Sequence, residues 1–145
     1  GQSIDLGLVE AASLLHDLTK SECLKTKKDH AQTGSQRLKG MGYVRVGEVV
    51  AEHIHLARKN DPSLVTEEEI VNYADKRVQH DRIVSLEERF CDLMDRYGKS
   101  QKASEQMEQF KKATFEIENK IFSILGIDPS DLQHLQLEED PSIGI

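Results

Sequence analysis

Ala12-Ser-Leu-Leu-His-Asp-Leu-Thr-Lys20 (ASLLHDLTK) begins as the inner face of a helix and ends in charge. Leu15 and Leu18 continue the spacing of Leu8, Ala11 and Ala12, the recurrence of one helical face. His16 and Asp17 interrupt that apolar run, and Lys20 closes it. A carboxylate beside an imidazole on a buried face is costly unless something compensates the charge. The helix therefore implies a partner for its own polar residues.

Outward from this stretch, every clear periodicity is helical. Asp5 is placed to cap the first helix. A second, shorter helix is predicted from about Asp29 to Leu38, stopped near Gly40 and Gly42. A third carries Val46, Val49, Val50, His53, Ile54 and Ala57 on one stripe. Capping boxes open two more, Thr66-Glu-Glu-Glu69 and Ser85-Leu-Glu-Glu88. The first of these runs through Ile70, Val71, Ala74 and Val78; the second runs through Phe90, Leu93 and Met94 to Tyr97. A long helix follows, with Met107, Phe110, Thr114, Ile117, Ile121 and Leu125 three and four apart. From Gly126 onward the chain is mixed, with Pro129, an acidic "LEED" and Pro141, and reads as a docked or loose tail. No alternating strand pattern and no repeat stands out. The expected fold is all-α, with about six helices.

A chain of 145 residues is the length of one domain and can bury a core without staples. The net charge of −7 disfavours non-specific binding to a nucleic acid duplex, which depends on neutralising phosphates. With 5% aromatic residues and no Trp, stacking platforms for single strands are scarce. Cys23 and Cys91 form no disulfide framework and read as free thiols of a reducing compartment. No apolar run reaches the length of a membrane span, and no signal peptide is visible. A cytoplasmic protein without membrane partners is expected.

The ionisable residues fall on the apolar faces. His16 follows Val9 and Ala12 by seven and four positions. His53 stands in the middle of the Val46, Val49 and Val50 stripe, and Asp75 lies between Val71 and Val78. A lone buried histidine is more often a hydrogen-bonded core residue, and Asp75 alone could pair with Lys76 or Arg77. Three such residues pointing inward from three helices are better explained by a metal. His55 sits two positions from His53, a turn of roughly 200°, so only one of them faces the core; His53 shares the stripe, leaving His55 at the rim. His80 and His134 read as surface residues, and Lys76 with Arg77 as a solvated helix face.

"LLHDLTK", "DHAQTG", "VVAEHIH" and "YADKRV", in that order, resemble successive motifs of the HD-domain metal-dependent phosphohydrolases. The resemblance covers roughly residues 6–97, continues into "DRIVSLEERF", and is nearest to small HD hydrolases such as those splitting diadenosine tetraphosphate symmetrically. It implies a helical bundle with a metal-binding core over residues 1–97, and a C-terminal helix and acidic tail (98–145) packed on the same domain. It also implies metal ligation by His16, Asp17 and Asp75, with His30 and His53 matching the further histidines of members that hold two ions. Asp17 would bridge the ions, since a carboxylate has two oxygens to share. Mixed imidazole and carboxylate ligands suit Fe, Mn, Co, Ni or Zn. The family normally carries one more metal-binding histidine on an earlier helix; no His precedes His16 here, and an upstream helix is expected in the native protein.

The implied activity is hydrolysis of a nucleotide-type phosphoester or phosphoanhydride. Two ions supply a water of lowered pKa, hold it in line and neutralise developing charge. Asp17 and Lys20 are the expected catalytic residues. Lys20 and Arg82 are the expected phosphate binders, Arg by its fork of donors; a position at a helix C-terminus explains Lys20 equally simply. The partner is a small phosphorylated molecule. A GYP signature of cyclic-dinucleotide members is not matched, because "GMGYV" precedes His53 and lacks the proline. Two rival readings stand beside the hydrolase: a degenerate HD domain that binds a nucleotide or a partner, and a structural helical domain whose long helix packs on the core or on a second copy in a homodimer.

Overall fold

The computed structural model describes residues 3–57 and 61–134. Their fold is all-α. Helix α1 (Leu6–Leu15) is capped by Asp5, whose side chain accepts from Leu8 N–H. Helices α2 (Lys20–Thr26), α3 (His30–Gly40) and α4 (Val44–Ala51) follow, then α5 (Glu67–Arg77), α6 (Leu86–Tyr97) and α7 (Gln101–Leu125), and a 3-10 turn over Pro129–His134. The expected acidic tail lies outside the described residues.

Two apolar clusters share α5. Leu8, Ala12, Leu38, Val49, Val50 and Val71 pack α1, α3 and α4 against one side of it. Tyr73, Leu86, Phe90 and Phe122 pack α6 and α7 against the other. The α3–α4 hairpin turns at Gly42, whose φ of +93° suits glycine alone. Its helices touch so closely at Gly47 that a Cβ there would meet the Ser35 carbonyl oxygen at 2.8 Å. Thr66 and Glu69 form a complete reciprocal capping box at the start of α5. At α6, Ser85 accepts from Glu88 N–H, the first half of the expected box.

Polar side chains tie α7 to α5 within the same seam. Tyr73 donates to Glu118 Oε2 at 2.5 Å, Arg77 donates to the same oxygen at 3.1 Å, and Arg77 also donates to the Tyr73 hydroxyl. Arg77 further binds the Val84 and Pro129 carbonyls at 2.6 and 3.0 Å, and Lys120 reaches Glu69 at 2.8 Å. Lys76 and Arg77, each 4% exposed, are therefore not the solvated helix face that their charge suggested. Both carry donors that internal carbonyls and carboxylates satisfy, which is how a buried cation is tolerated.

Four local features depart from the sequence reading. Helix α1 stops at Leu15 instead of continuing through Leu18, because Leu18 and Lys20 N–H bond to the Leu15 and Asp17 carbonyls in tight three-residue turns. Helix α2 was not foreseen: it buries only Cys23 and so has no apolar stripe. Helix α4 ends at Ala51, six residues short of the expected Ala57. A two-stranded ribbon, β1 (Val78–Gln79) and β2 (Arg82–Ile83), links α5 to α6 with Val78 opposite Ile83. Strands of two residues are too short to show alternation. Among the described residues, no helix is long and apolar enough to cross a membrane.

Candidate metal centre

The early ends of α1 and α4 build the site. His16 caps α1 in helical geometry, and Asp17 follows in the tight turn. His30 is the first residue of α3, positioned by the Asp29 cap, and Thr19 Oγ1 donates to the His30 carbonyl at 2.8 Å. His53 lies just beyond α4 and is 1% exposed. The carbonyls freed by that unwound end are taken by α5: Asn72 donates to Glu52 O at 2.9 Å and Lys76 to His53 O at 2.5 Å. Asp75 comes from α5 itself.

All five of these side chains converge. Asp17 Oδ1 lies 3.2 Å from His30 Nε2 and 3.8 Å from His53 Nε2, and the two histidine nitrogens are 3.2 Å apart. On the other side, His16 Nε2 lies 3.6 Å from Asp17 Oδ2 and 3.4 Å from Asp75 Oδ1. The His16 and His53 rings meet edge to face with centroids 5.0 Å apart. Asp17, His30 and His53 offer ligand atoms that all fall within 4.8 Å of one another, a grouping able to hold a metal ion.

Backbone hydrogen bonds aim the rings. His16 Nδ1 bonds the Ser13 carbonyl at 2.6 Å, and His53 Nδ1 bonds the Val50 carbonyl at 2.7 Å. A carbonyl only accepts, so Nδ1 carries a proton in both, which turns Nε2 toward the cluster; in His53 the Nε2 lone pair is left for a ligand role, while in His16 Nε2 faces the Asp75 carboxylate. Burial lowers the His53 pKa to about 4, keeping its ring neutral. His16 shifts the other way, chiefly through its hydrogen bond to Asp75 and against burial. Burial works to raise the Asp75 pKa, yet His16 and Lys76 together hold it well below the usual carboxylate range. Lys76 bonds Asp75 Oδ2 at 3.1 Å. Nitrogen and oxygen donors so prepared are what a divalent transition ion binds.

The remaining expected residues divide. Lys20 opens α2 instead of closing α1, and its ammonium donates to Asp17 Oδ2 at 2.6 Å. His16, Asp17, Lys20 and Asp75 line a cleft of about 450 Å³. Arg82, expected to hold phosphate, is not in that wall: it stands exposed on β2, where the ribbon presents Gln79 and His80 to the cleft instead. His80 turns the ribbon at φ +57° and so borders the cleft while remaining exposed. His55 meets the Phe110 ring of α7 edge to face, with centroids 5.2 Å apart. The cleft also contains Arg89 and Arg96 of α6, which the sequence reading missed. Their seven-residue spacing on a capped amphipathic helix was the available signal.

Comparison of the chain with protein-family models, with curated proteins and with solved structures gives no match in any of the three.

Proposed function

We propose that this protein is a metal-dependent hydrolase of nucleotide-type phosphoesters or phosphoanhydrides, of the HD-domain kind its motifs resemble. One observation carries the reading. Asp17 divides its oxygens, Oδ1 toward His30 and His53 and Oδ2 toward His16, so that one carboxylate would offer an oxygen to each of two cations. His30, His53 and Asp17 would hold one ion; His16, Asp75 and Asp17 would hold a second. Such ions supply an activated water and neutralise charge on the phosphorus. Fe, Mn, Co, Ni and Zn all suit this ligand set.

The protein's own groups do the rest. Ser13 and Val50 carbonyls keep the imidazoles in the ligating tautomer, and Lys76 keeps Asp75 ionised. Lys20 lines the cleft beside Asp17, where its ammonium would meet a phosphoryl oxygen. The test is phosphate release from a panel of nucleotides and dinucleoside polyphosphates, with each candidate metal added singly. Turnover that Asp17→Asn abolishes is expected; turnover retained by Asp17→Asn, or absent with every metal and substrate, contradicts the proposal.

A second reading draws on the Lys20–Asp17 contact of 2.6 Å, which already places a cation on Oδ2. Under it, one ion binds at Asp17, His30 and His53, and the domain retains a nucleotide without hydrolysing it. Tight nucleotide binding without phosphate release distinguishes this module from the enzyme.

A further inference from the structure

The lining of the cleft beside the metal residues combines two kinds of chemistry. His16, Asp17 and Asp75 offer ligands for cations. Arg89 and Arg96 of α6 lie two turns apart on the same helix face and line the same cleft. Asp92 lies between them and bonds both, accepting from Arg89 Nη1 at 3.3 Å and Arg96 Nε at 2.9 Å. A single carboxylate shared by two guanidiniums leaves one positive charge in excess and most of their ten N–H donors free, at five per arginine.

Arg89 adds a sharper signal. Its Nε is shut off from solvent and has no hydrogen-bond partner among the described residues. A buried donor on a charged group that goes unmet is costly, so native proteins almost always satisfy it. Because Nε is closed to solvent as it stands, an acceptor in the cleft meets it only if the guanidinium turns toward that acceptor. The Asp92 contacts account for the orientation of both side chains but not for this atom.

We propose that Arg89 and Arg96 form an anion subsite for a second phosphoryl group, so that the cleft takes substrates carrying a chain of two or more phosphates. The inference rests on the metal-hydrolase reading for the phosphoryl group at the ions. It adds that the remote phosphate is held by α6. Asp92 is then a positioning residue that keeps the two forks parallel, and monophosphorylated compounds fill only half of the site.

The test compares pyrophosphate with orthophosphate by calorimetric titration of the full chain, alongside elemental analysis of the same samples. Pyrophosphate is expected to bind at least about tenfold more tightly, the scale of one charge-assisted hydrogen bond. Arg96→Gln, on a half-exposed side chain, should erase most of that preference while leaving the metal content unchanged. Arg89→Lys keeps charge and stem but loses the fork, and should weaken pyrophosphate selectively if Arg89→Gln proves unstable. Equal binding of the two anions, or an undiminished preference in Arg96→Gln and Arg89→Lys together, overturns the subsite. A metal-free protein with arginine-dependent pyrophosphate binding would support it while contradicting the hydrolase reading.

Discussion

Lys76 and His53 are joined across two elements: the ammonium on α5 donates to the backbone carbonyl of His53 at 2.5 Å. The same ammonium holds Asp75 at 3.1 Å, and burial lowers its own pKa. One side chain therefore fixes one candidate ligand on α5 and the segment that carries another. Lys76→Met keeps the stem and removes the donors. It is expected to cost about 2–3 kcal/mol of stability in urea denaturation, and to weaken metal binding about 10–100-fold. An unchanged metal affinity would show that Lys76 only fills space.

The seam between α5 and α7 depends on Glu118, which is 8% exposed and accepts from both Tyr73 and Arg77. Removing one member of a buried pair strands the other charge. Glu118→Leu should cost about 3–5 kcal/mol, and adding Arg77→Met should return part of that loss. Denaturation of the two single variants and the double variant checks this; strictly additive losses would contradict the pairing.

Gly47 allows α3 and α4 to touch. Gly47→Ala places a methyl 2.8 Å from Ser35 O and from Lys39 Cγ. The Ser35 carbonyl is backbone and cannot step aside alone, so a loss of about 1–3 kcal/mol is expected. His30 begins α3 and His53 follows α4, so the same variant should loosen metal binding as well. Metal affinity unchanged in a clearly destabilised Gly47→Ala protein would sever the hairpin from the site.

Acid should destabilise the metal-stripped protein through His53. Above pH 6.5 neither the native nor the unfolded chain protonates it, whereas the native pKa is only about 4. Between those values the unfolded chain takes the proton and the native chain does not, so stability falls as pH drops, by up to about 1.4 kcal/mol per unit. His16, with its raised pKa, acts in the opposite sense. Comparison with His53→Gln isolates the His53 slope; parallel stability–pH curves for the two proteins would contradict the burial.

His16, His53 and Asp75 were legible because helix periodicity places residues on faces; Asp17 and His30 were singled out by the resemblance of their motifs. The signal survived even where helices ended early: His16 lies beyond the last regular turn of α1 yet keeps helical dihedrals, and His53 beyond α4 still bonds the Val50 carbonyl through its N–H at 3.3 Å. What was hidden depends on tertiary partners. Lys76 and Arg77 look like surface charges until the carbonyls of His53, Val84 and Pro129 are brought to them. Arg89 and Arg96 went unnoticed beside Arg82 for the same reason. Local sequence does not say that a two-residue ribbon turns Arg82 away from the cleft while α6 faces it.

The central claim is tested most directly by metal content. Full-length protein, incubated with Fe, Mn, Co, Ni or Zn and freed of loose ions, is measured by elemental mass spectrometry beside Asp17→Ala. The account predicts one to two equivalents of a transition ion in the native chain and a loss of most or all of it in the variant. A native protein that retains none of these metals, or an Asp17→Ala protein that retains as much as the native, would contradict it.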